Sequence, residues 1–189
     1  PPLETLFPYT TLFRSDISKG LDCSGYVGWA AYQVMHQKAG VGSGYMCVSG
    51  DIGTEYTQRG WGDILNQKKL AATNYRVYPG DVGYTPGHTW IVLGQCSDKS
   101  AVILHCTPQA GCQISGTCTP SGNYASEAIA LAEKYMSRYP GYTKYDYHTS
   151  GGNYIRQGNL LRWNNSTLAD PDGYRNMSAE EILADLFKS

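Results

Sequence analysis

The fold is decided by the stretch Asp22-Cys23-Ser24-Gly25, which opens the apolar run Tyr26-Val27-Gly28-Trp29-Ala30-Ala31-Tyr32-Gln33-Val34-Met35. A helix over this run would be hydrophobic nearly all round, and such a helix is buried. Cys23 would lie in its first turn, beside backbone N–H groups without intrahelical partners and at the positive end of the helix dipole. We therefore expect a lowered pKa for the Cys23 thiol and a nucleophilic role. The alternative is a buried cysteine that only fills space.

The composition indicates one domain and excludes several classes of function. At 189 residues the chain is long enough to bury a core. Its net charge of -1 gives no electrostatic footprint for nucleic acid or for an anionic membrane. No apolar stretch is long enough to span a bilayer, and no secretory signal is recognisable within this chain. We expect a monomer that uses no metal and no cofactor.

Residues 1–15 do not fit the pattern that begins near Asp16. They resemble translated sequencing-adapter read-through, so we expect a non-native leader over 1–15. The alternative is a genuine strand or linker. The catalytic domain is then expected over 16–189, with its core at about 16–163 and a C-terminal extension with a short helix at 164–189.

A long irregular segment is expected after the Cys23 helix. It consists of a Gly-rich connector at 39–53 and a polar loop that continues to about Asn74. Loops of this length are often functional, so Tyr56 and Trp61 are candidates to line a substrate groove. The alternative, which we favour, is that both aromatic side chains pack onto the core.

An antiparallel hairpin is predicted from two apolar segments, 88–95 and 101–106, which a polar turn separates. Side chains alternate between the two faces of a strand, so His88 and His105 can share one face while Cys106 lies on the other. Cys106 is thereby excluded as a nucleophile paired with these histidines. We expect the Cys23 helix to pack against the face that carries both imidazoles.

The remaining elements follow from periodicity, turn signals and capping. They are strands at 82–84, 111–117 and 160–163, an amphipathic helix at 121–138, a polar loop at 142–158, a turn at 170–173 and a capping-box helix at 178–186. The expected fold class is therefore α+β, with the nucleophile-bearing helix packed on a small antiparallel sheet.

The chain has six cysteines, and those besides Cys23 are Cys47, Cys96, Cys106, Cys112 and Cys118. Cys112 and Cys118 bracket a turn-like segment, so a local disulfide between them is plausible in an oxidising compartment. An odd remainder leaves at least one free thiol. A zinc site is the alternative, but the chain has no C-x-x-C pair and the spacing matches no standard zinc finger.

Cys23, His88 and His105 form the constellation that thiol chemistry needs. A thiolate attacks, one imidazole holds its proton and delivers it to the leaving amine, and a third group orients that imidazole. The backbone N–H of Cys23, with that of Ser24 as a second donor, can stabilise the oxyanion. Each histidine has a structural alternative: His88 as a strand-end residue, and His105 as a donor to a backbone carbonyl.

Other polar residues are assigned structural roles. His36 and His148 are expected at the surface, and Asp81 is expected to form a turn rather than to join the triad. The tyrosines at 142–154 are candidates for a glycan-facing surface or for simple packing.

The motifs resemble the NlpC/P60 family of papain-like cysteine peptidases. The resemblance covers roughly 16–116 and is carried by Leu21-Asp22-Cys23-Ser24-Gly25-Tyr26-Val27, Pro79-Gly80-Asp81-Val82, Gly87-His88-Thr89-Trp90-Ile91-Val92-Leu93-Gly94 and His105. It implies a papain-like fold and a secreted or wall-associated bacterial enzyme that hydrolyses amide bonds in peptidoglycan stem peptides. It further implies Cys23 as nucleophile, His88 as base, His105 as orienting residue, and Asp22 and Ser24 as residues that line the substrate site.

One departure from the family concerns the segment before Asp22. Family members often carry a tyrosine there that contributes to the substrate amine pocket, whereas this chain has no tyrosine between Thr10 and Asp22. The rival functions are a peptidoglycan amidase or an acyltransferase on the same fold, and a non-catalytic wall-binding module.

Overall fold

The computed structural model describes residues 22–35, 45–107, 111–142 and 153–188. The predictions for the leader at 1–15, for His36 and for His148 fall outside these residues. The described part is an α+β arrangement built on one six-stranded sheet, in which every neighbouring pair of strands is antiparallel. The predicted fold class is confirmed at this level.

The described chain contains five helices and six strands. The helices are α1 (Cys23–Met35), α2 (Ile52–Gln58), α3 (Gln67–Ala72), α4 (Glu127–Met136) and α5 (Ala179–Leu186). The strands are β1 (Gly62–Leu65), β2 (Val82–Thr85), β3 (His88–Gln95), β4 (Ala101–Thr107), β5 (Gly111–Gly116) and β6 (Asn159–Trp163). Single 3-10 turns occupy Ser49–Asp51 and Tyr174–Asn176. The order in the sheet is β1-β6-β2-β3-β4-β5.

The hairpin that was predicted to carry the histidines is present as β3 and β4. Ile91 lies opposite Leu104 and Val92 opposite Ile103, so both strands bury side chains on two faces. The strand predicted at 111–117 is confirmed as β5, and His105 lies directly opposite Gln113 within it.

The helix α1 packs on the face of the sheet opposite to the one we expected. Its buried residues Val27, Ala31 and Met35 join a core cluster with Val82 of β2, against which Ile91 of β3 also packs. The other face belongs to a second cluster, which contains Trp90, Val92, Ala101 and Ile103. His88 and His105 lie on this second face, because alternation along β3 and β4 places them with those residues. The buried residues of α1 therefore lie on the face opposite to the imidazoles.

The prediction of an irregular segment before Asn74 is wrong in large part. This part of the chain contains α2, β1 and α3. These elements are four to seven residues long, too short for a hydrophobic period to identify them. Tyr56 and Trp61 are buried in the α1 cluster. Their ring centroids lie 5.1 Å apart, which confirms that they pack onto the core.

An ion pair with a buried carboxylate joins Asp81, the residue before β2, to Arg162 of β6. The Asp81 side chain is only 2% exposed and accepts from the guanidinium of Arg162, with Nη2 to Oδ2 at 2.7 Å and Nε to Oδ1 at 3.1 Å. The backbone N–H of Tyr78 also donates to Asp81 Oδ2, at 2.9 Å. Asp81 forms the predicted turn, and it also ties two strands together. Burial raises the pKa of Asp81 and Arg162 opposes that shift.

The two C-terminal helices cover the α1 side of the sheet. The helix predicted at 121–138 begins later, because Ser126 is its N-cap and accepts from the backbone N–H of Ile129 at 3.3 Å. The capping box of α5 is confirmed: Ser178 and Glu181 bond each other's backbone N–H. The buried side of α5 packs with Leu93 and Val102, so the extension contributes to the core. None of the helices in the described ranges combines the length and apolar character that crossing a membrane requires.

Candidate active site

Cys23 is the first residue of α1, and Asp22 caps the helix in front of it. Asp22 Oδ1 accepts from the backbone N–H of Gly25 at 2.6 Å and from the hydroxyl of Ser24 at 3.1 Å. The carboxylate thereby satisfies one donor of the first turn and fixes the chain direction at Cys23. Asp22 is exposed and Ser24 is half-buried. Both residues neighbour Cys23 in the sequence, and the contacts that the structure gives them stabilise the N-terminus of α1.

The thiol of Cys23 is half-buried, and burial raises its pKa. The backbone N–H of Thr89 opposes this rise most strongly, the Asp22 carboxylate adds to the rise, and the backbone N–H groups of Ser24 and Cys23 lower the pKa to smaller extents. The lowered pKa that we expected from the helix start is therefore wrong, because desolvation outweighs the amide donors. The isolated thiol stays protonated near neutral pH, and a nucleophilic role requires a base.

The backbone N–H of Thr89 locates the thiol relative to the histidines. This amide lowers the pKa of the Cys23 thiol, so it lies near the sulfur, and Thr89 is the residue that follows His88 at the start of β3. Registered pairing between β3 and β4 begins only at Ile91 and Leu104. The first turn of α1 thus meets the sheet at the start of β3, next to the residue that is the candidate base.

His88 and His105 are hydrogen-bonded to each other. His88 Nε2 lies 3.2 Å from His105 Nδ1, with the two ring planes nearly perpendicular at 74°. The backbone of His88 is held by Thr85, whose hydroxyl bonds both its N–H (3.1 Å) and its C=O (3.2 Å). Nε2 of His88 faces His105, so proton exchange with a thiol would use the other ring nitrogen, Nδ1. The predicted pairing of these imidazoles is present.

Tyr154 covers the histidine pair and was not recognised as a site residue. Its ring stacks on Trp90 with centroids 4.5 Å apart, and lies 5.4 Å from the His88 ring. Burial and the neighbouring Cys23 raise the pKa of Tyr154 to about 12, so its hydroxyl stays protonated at neutral pH. The sequence marked the tyrosines of 142–154 only as a surface or packing cluster. No periodic signal connects Tyr154 to β3.

His105 is 1% exposed and has a second partner behind it. Its Nε2 lies 2.9 Å from the hydroxyl of Ser115, to which the side-chain amide of Gln113 also donates at 2.9 Å. Gln113 and Ser115 are two residues apart on β5, so both face the same side of the sheet as His105. Sequence reasoning missed both residues, although strand parity could have found them.

The disulfide pairing differs from the one we considered. Cys106 is bonded to Cys112, and the two residues are direct cross-strand partners in β4 and β5. Cys118 is a free, buried thiol. A pairing between Cys112 and Cys118 assumed a turn at 113–117, but that segment is mostly β5 and extended. Strand parity excluded Cys106 as the nucleophile, and the disulfide between Cys106 and Cys112 agrees with that exclusion.

Among the described residues, Cys96, Asp98 and Glu127 place potential metal-binding atoms within 4.8 Å of one another. Asp98 instead accepts from the backbone N–H of Ser100 and of Glu127, each at 2.9 Å. Glu127 accepts from the backbone and hydroxyl of Ser97. These contacts join the β3–β4 turn to the start of α4, which accounts for the cluster without an ion.

Comparisons of the chain with protein-family models, with curated proteins and with solved structures find no match. The resemblance to the NlpC/P60 family therefore rests on the motifs and on the site built from them.

Proposed function

We propose that this protein is a secreted or wall-associated cysteine peptidase that hydrolyses amide bonds in bacterial peptidoglycan stem peptides. The observation that carries the proposal is the hydrogen-bonded pair His88–His105, together with a Cys23 thiol whose pKa responds to the backbone N–H of Thr89, the residue that follows His88. A helix-start thiol, an imidazole and a group that orients it are the parts that acyl transfer by a thiol requires. The stem-peptide substrate comes from the family resemblance.

The reaction begins with proton transfer from the Cys23 thiol to Nδ1 of His88. The thiolate attacks the carbonyl carbon of the scissile amide, and the backbone N–H of Cys23 donates to the oxyanion that forms. Protonated His88 then delivers its proton to the leaving nitrogen, and a thioester on Cys23 remains. Water, deprotonated by His88, hydrolyses this thioester and returns the free thiol. No step requires a metal or a cofactor.

The orientation of the rings supports these roles. Because the pKa of the Cys23 thiol is raised by burial, the thiolate forms only when His88 accepts the proton. His105 is buried behind His88 and its Nδ1 faces Nε2 of His88, so it can stabilise the positive ring that results. The Cys106–Cys112 disulfide supports an oxidising compartment.

The test is product analysis by mass spectrometry after incubation with purified muropeptides. An endopeptidase leaves the sugar joined to a shortened stem, whereas an amidase releases an intact peptide from the sugar. An acyltransferase needs an added amine and yields a ligated product, and a wall-binding module sediments with peptidoglycan without cutting it. We expect shortened stems from the wild type and from Cys47→Ala, and none from Cys23→Ala. Cleavage that persists in Cys23→Ala contradicts the proposal.

A further inference from the structure

A chain of buried polar groups extends from the histidine pair into the sheet. It runs from His88 Nε2 to His105 Nδ1 (3.2 Å), from His105 Nε2 to Ser115 Oγ (2.9 Å), and from Ser115 Oγ to Gln113 Nε2 (2.9 Å). The register of β4 and β5 creates it, since His105 lies opposite Gln113 and Ser115 follows two residues later on the same face. We call these groups the relay.

The relay is shielded from water. His105 is 1% exposed, Ser115 is fully buried and Gln113 is 7% exposed. A buried polar group that loses its partner bears the full cost of desolvation, so the hydrogen atoms here are constrained by the protein. The amide of Gln113 donates to Ser115 Oγ, which occupies one lone pair of that oxygen and leaves its other lone pair and its hydrogen to meet His105 Nε2.

The remaining question is which nitrogen of His105 carries the hydrogen. If Ser115 donates to Nε2, the hydrogen of His105 lies on Nδ1 and points at His88 Nε2. Protonated His88 has a hydrogen on Nε2 as well, so two N–H groups would then face each other across 3.2 Å. If Ser115 accepts from Nε2, Nδ1 of His105 is bare and accepts from His88 in both its neutral and its protonated state. Only the second arrangement lets His88 act as a base.

We propose that Ser115 and Gln113 are positioning residues that hold His105 in the tautomer with hydrogen on Nε2, so that His105 accepts from His88 while His88 takes up the thiol proton. The role of His88 as base and the choice of this tautomer both rest on the proposed function, but the tautomer can be measured without any assay of activity. Ser115 touches neither substrate nor Cys23 in this scheme; it acts through His105 alone.

The first experiment is ¹⁵N NMR of the imidazole nitrogens in histidine-labelled protein, with signals assigned by His105→Gln. We expect a protonated Nε2 and a bare Nδ1 for His105 in the wild type. Ser115→Ala should lose this pattern, and Ser115→Thr, which keeps the hydroxyl, should restore it. A wild-type His105 with hydrogen on Nδ1, or a pattern unchanged in Ser115→Ala, overturns the proposal.

The second experiment measures kcat and KM on a stem peptide, together with the rate of Cys23 alkylation at pH 7. Ser115→Ala should lower kcat and alkylation by about tenfold or more with little change in KM, since it weakens only proton uptake by His88. Gln113→Leu should lower kcat and the alkylation rate by less. This variant replaces Ser115→Ala in the experiment if Ser115→Ala fails to fold. Unchanged alkylation in both variants overturns the proposal.

The matched control is Thr117→Val. The hydroxyl of Thr117 is also buried. It accepts from the backbone N–H of Ala101 and donates to the backbone C=O of Cys118, both at 2.9 Å. Its removal costs similar hydrogen bonds outside the relay, so it should lower stability and leave the His105 tautomer unchanged. Failure of the wild type to cut any muropeptide would reject the proposed function, while the NMR pattern would still decide the tautomer.

Discussion

Iodoacetamide should alkylate Cys23 at pH 7 far faster than Cys47, although both thiols are half-buried. Burial and two nearby carboxylates raise the pKa of Cys47 to about 11. Burial also raises the pKa of Cys23, so exposure and desolvation alone do not favour one thiol strongly over the other. The difference we expect comes from His88, which can take the proton of Cys23 and has no counterpart at Cys47 among the residues that the structure describes.

The size of the difference follows from the thiolate populations. At pH 7 a thiol with the pKa of Cys47, about 11, is thiolate to about one part in 10⁴. A Cys23–His88 ion pair populated to about one tenth would make Cys23 roughly 10³-fold more reactive. In His88→Ala that population disappears. The raised pKa then leaves Cys23 below the ~3% thiolate of an ordinary thiol at this pH, and its rate should rise about tenfold per pH unit until the pH reaches the raised pKa of the thiol.

The assay is quantitative peptide mass spectrometry after short iodoacetamide pulses between pH 5 and pH 10. Cys96, with a pKa raised to about 12 by burial, provides a second slow thiol in the same sample. Equal labelling of Cys23 and Cys47 at pH 7 would refute the reasoning. So would an unchanged pH profile of Cys23 labelling in His88→Ala, because it would show that His88 does not hold the thiol proton.

Two further predictions concern the triad and the frame that carries it. Cys23→Ala should abolish stem-peptide turnover and His88→Ala should nearly abolish it, while His105→Ala should be milder because the base remains; steady-state kinetics would show reversed roles if His105→Ala were the more damaging histidine variant. Arg162→Met should cost about 3–5 kcal/mol in urea unfolding, since it leaves a buried carboxylate unpaired. Lys134→Met, which removes an exposed ion pair, should cost under about 1 kcal/mol, and equal losses would contradict the role of burial.

The elements that the sequence predicted well are the long apolar ones. The α1 helix, β3 and β4 have continuous apolar runs, and the capping box of α5 is a local signal that needs no tertiary information. Strand parity also placed both histidines on one face, because the side-chain period of a strand depends on nothing distant.

The elements that the sequence did not predict depend on long-range contacts. Tyr154 reaches His88 from 66 positions further along the chain, held by stacking on Trp90. The face on which α1 packs was also missed, since an all-apolar helix has no polar side to orient it. The pKa of Cys23 was misjudged because the helix start is local, whereas the desolvation that raises the pKa comes from the packed sheet.

The most direct test of the central claim is intact-protein mass spectrometry of a stem-peptide reaction, quenched in acid at successive times. The account predicts a transient mass increase equal to the acyl part of the substrate, located on Cys23 and absent from Cys23→Ala. The thioester should decay as the shortened product appears, and His88→Ala should form it far more slowly. Product formation by Cys23→Ala at the wild-type rate, with no adduct on the wild-type thiol, would contradict the account.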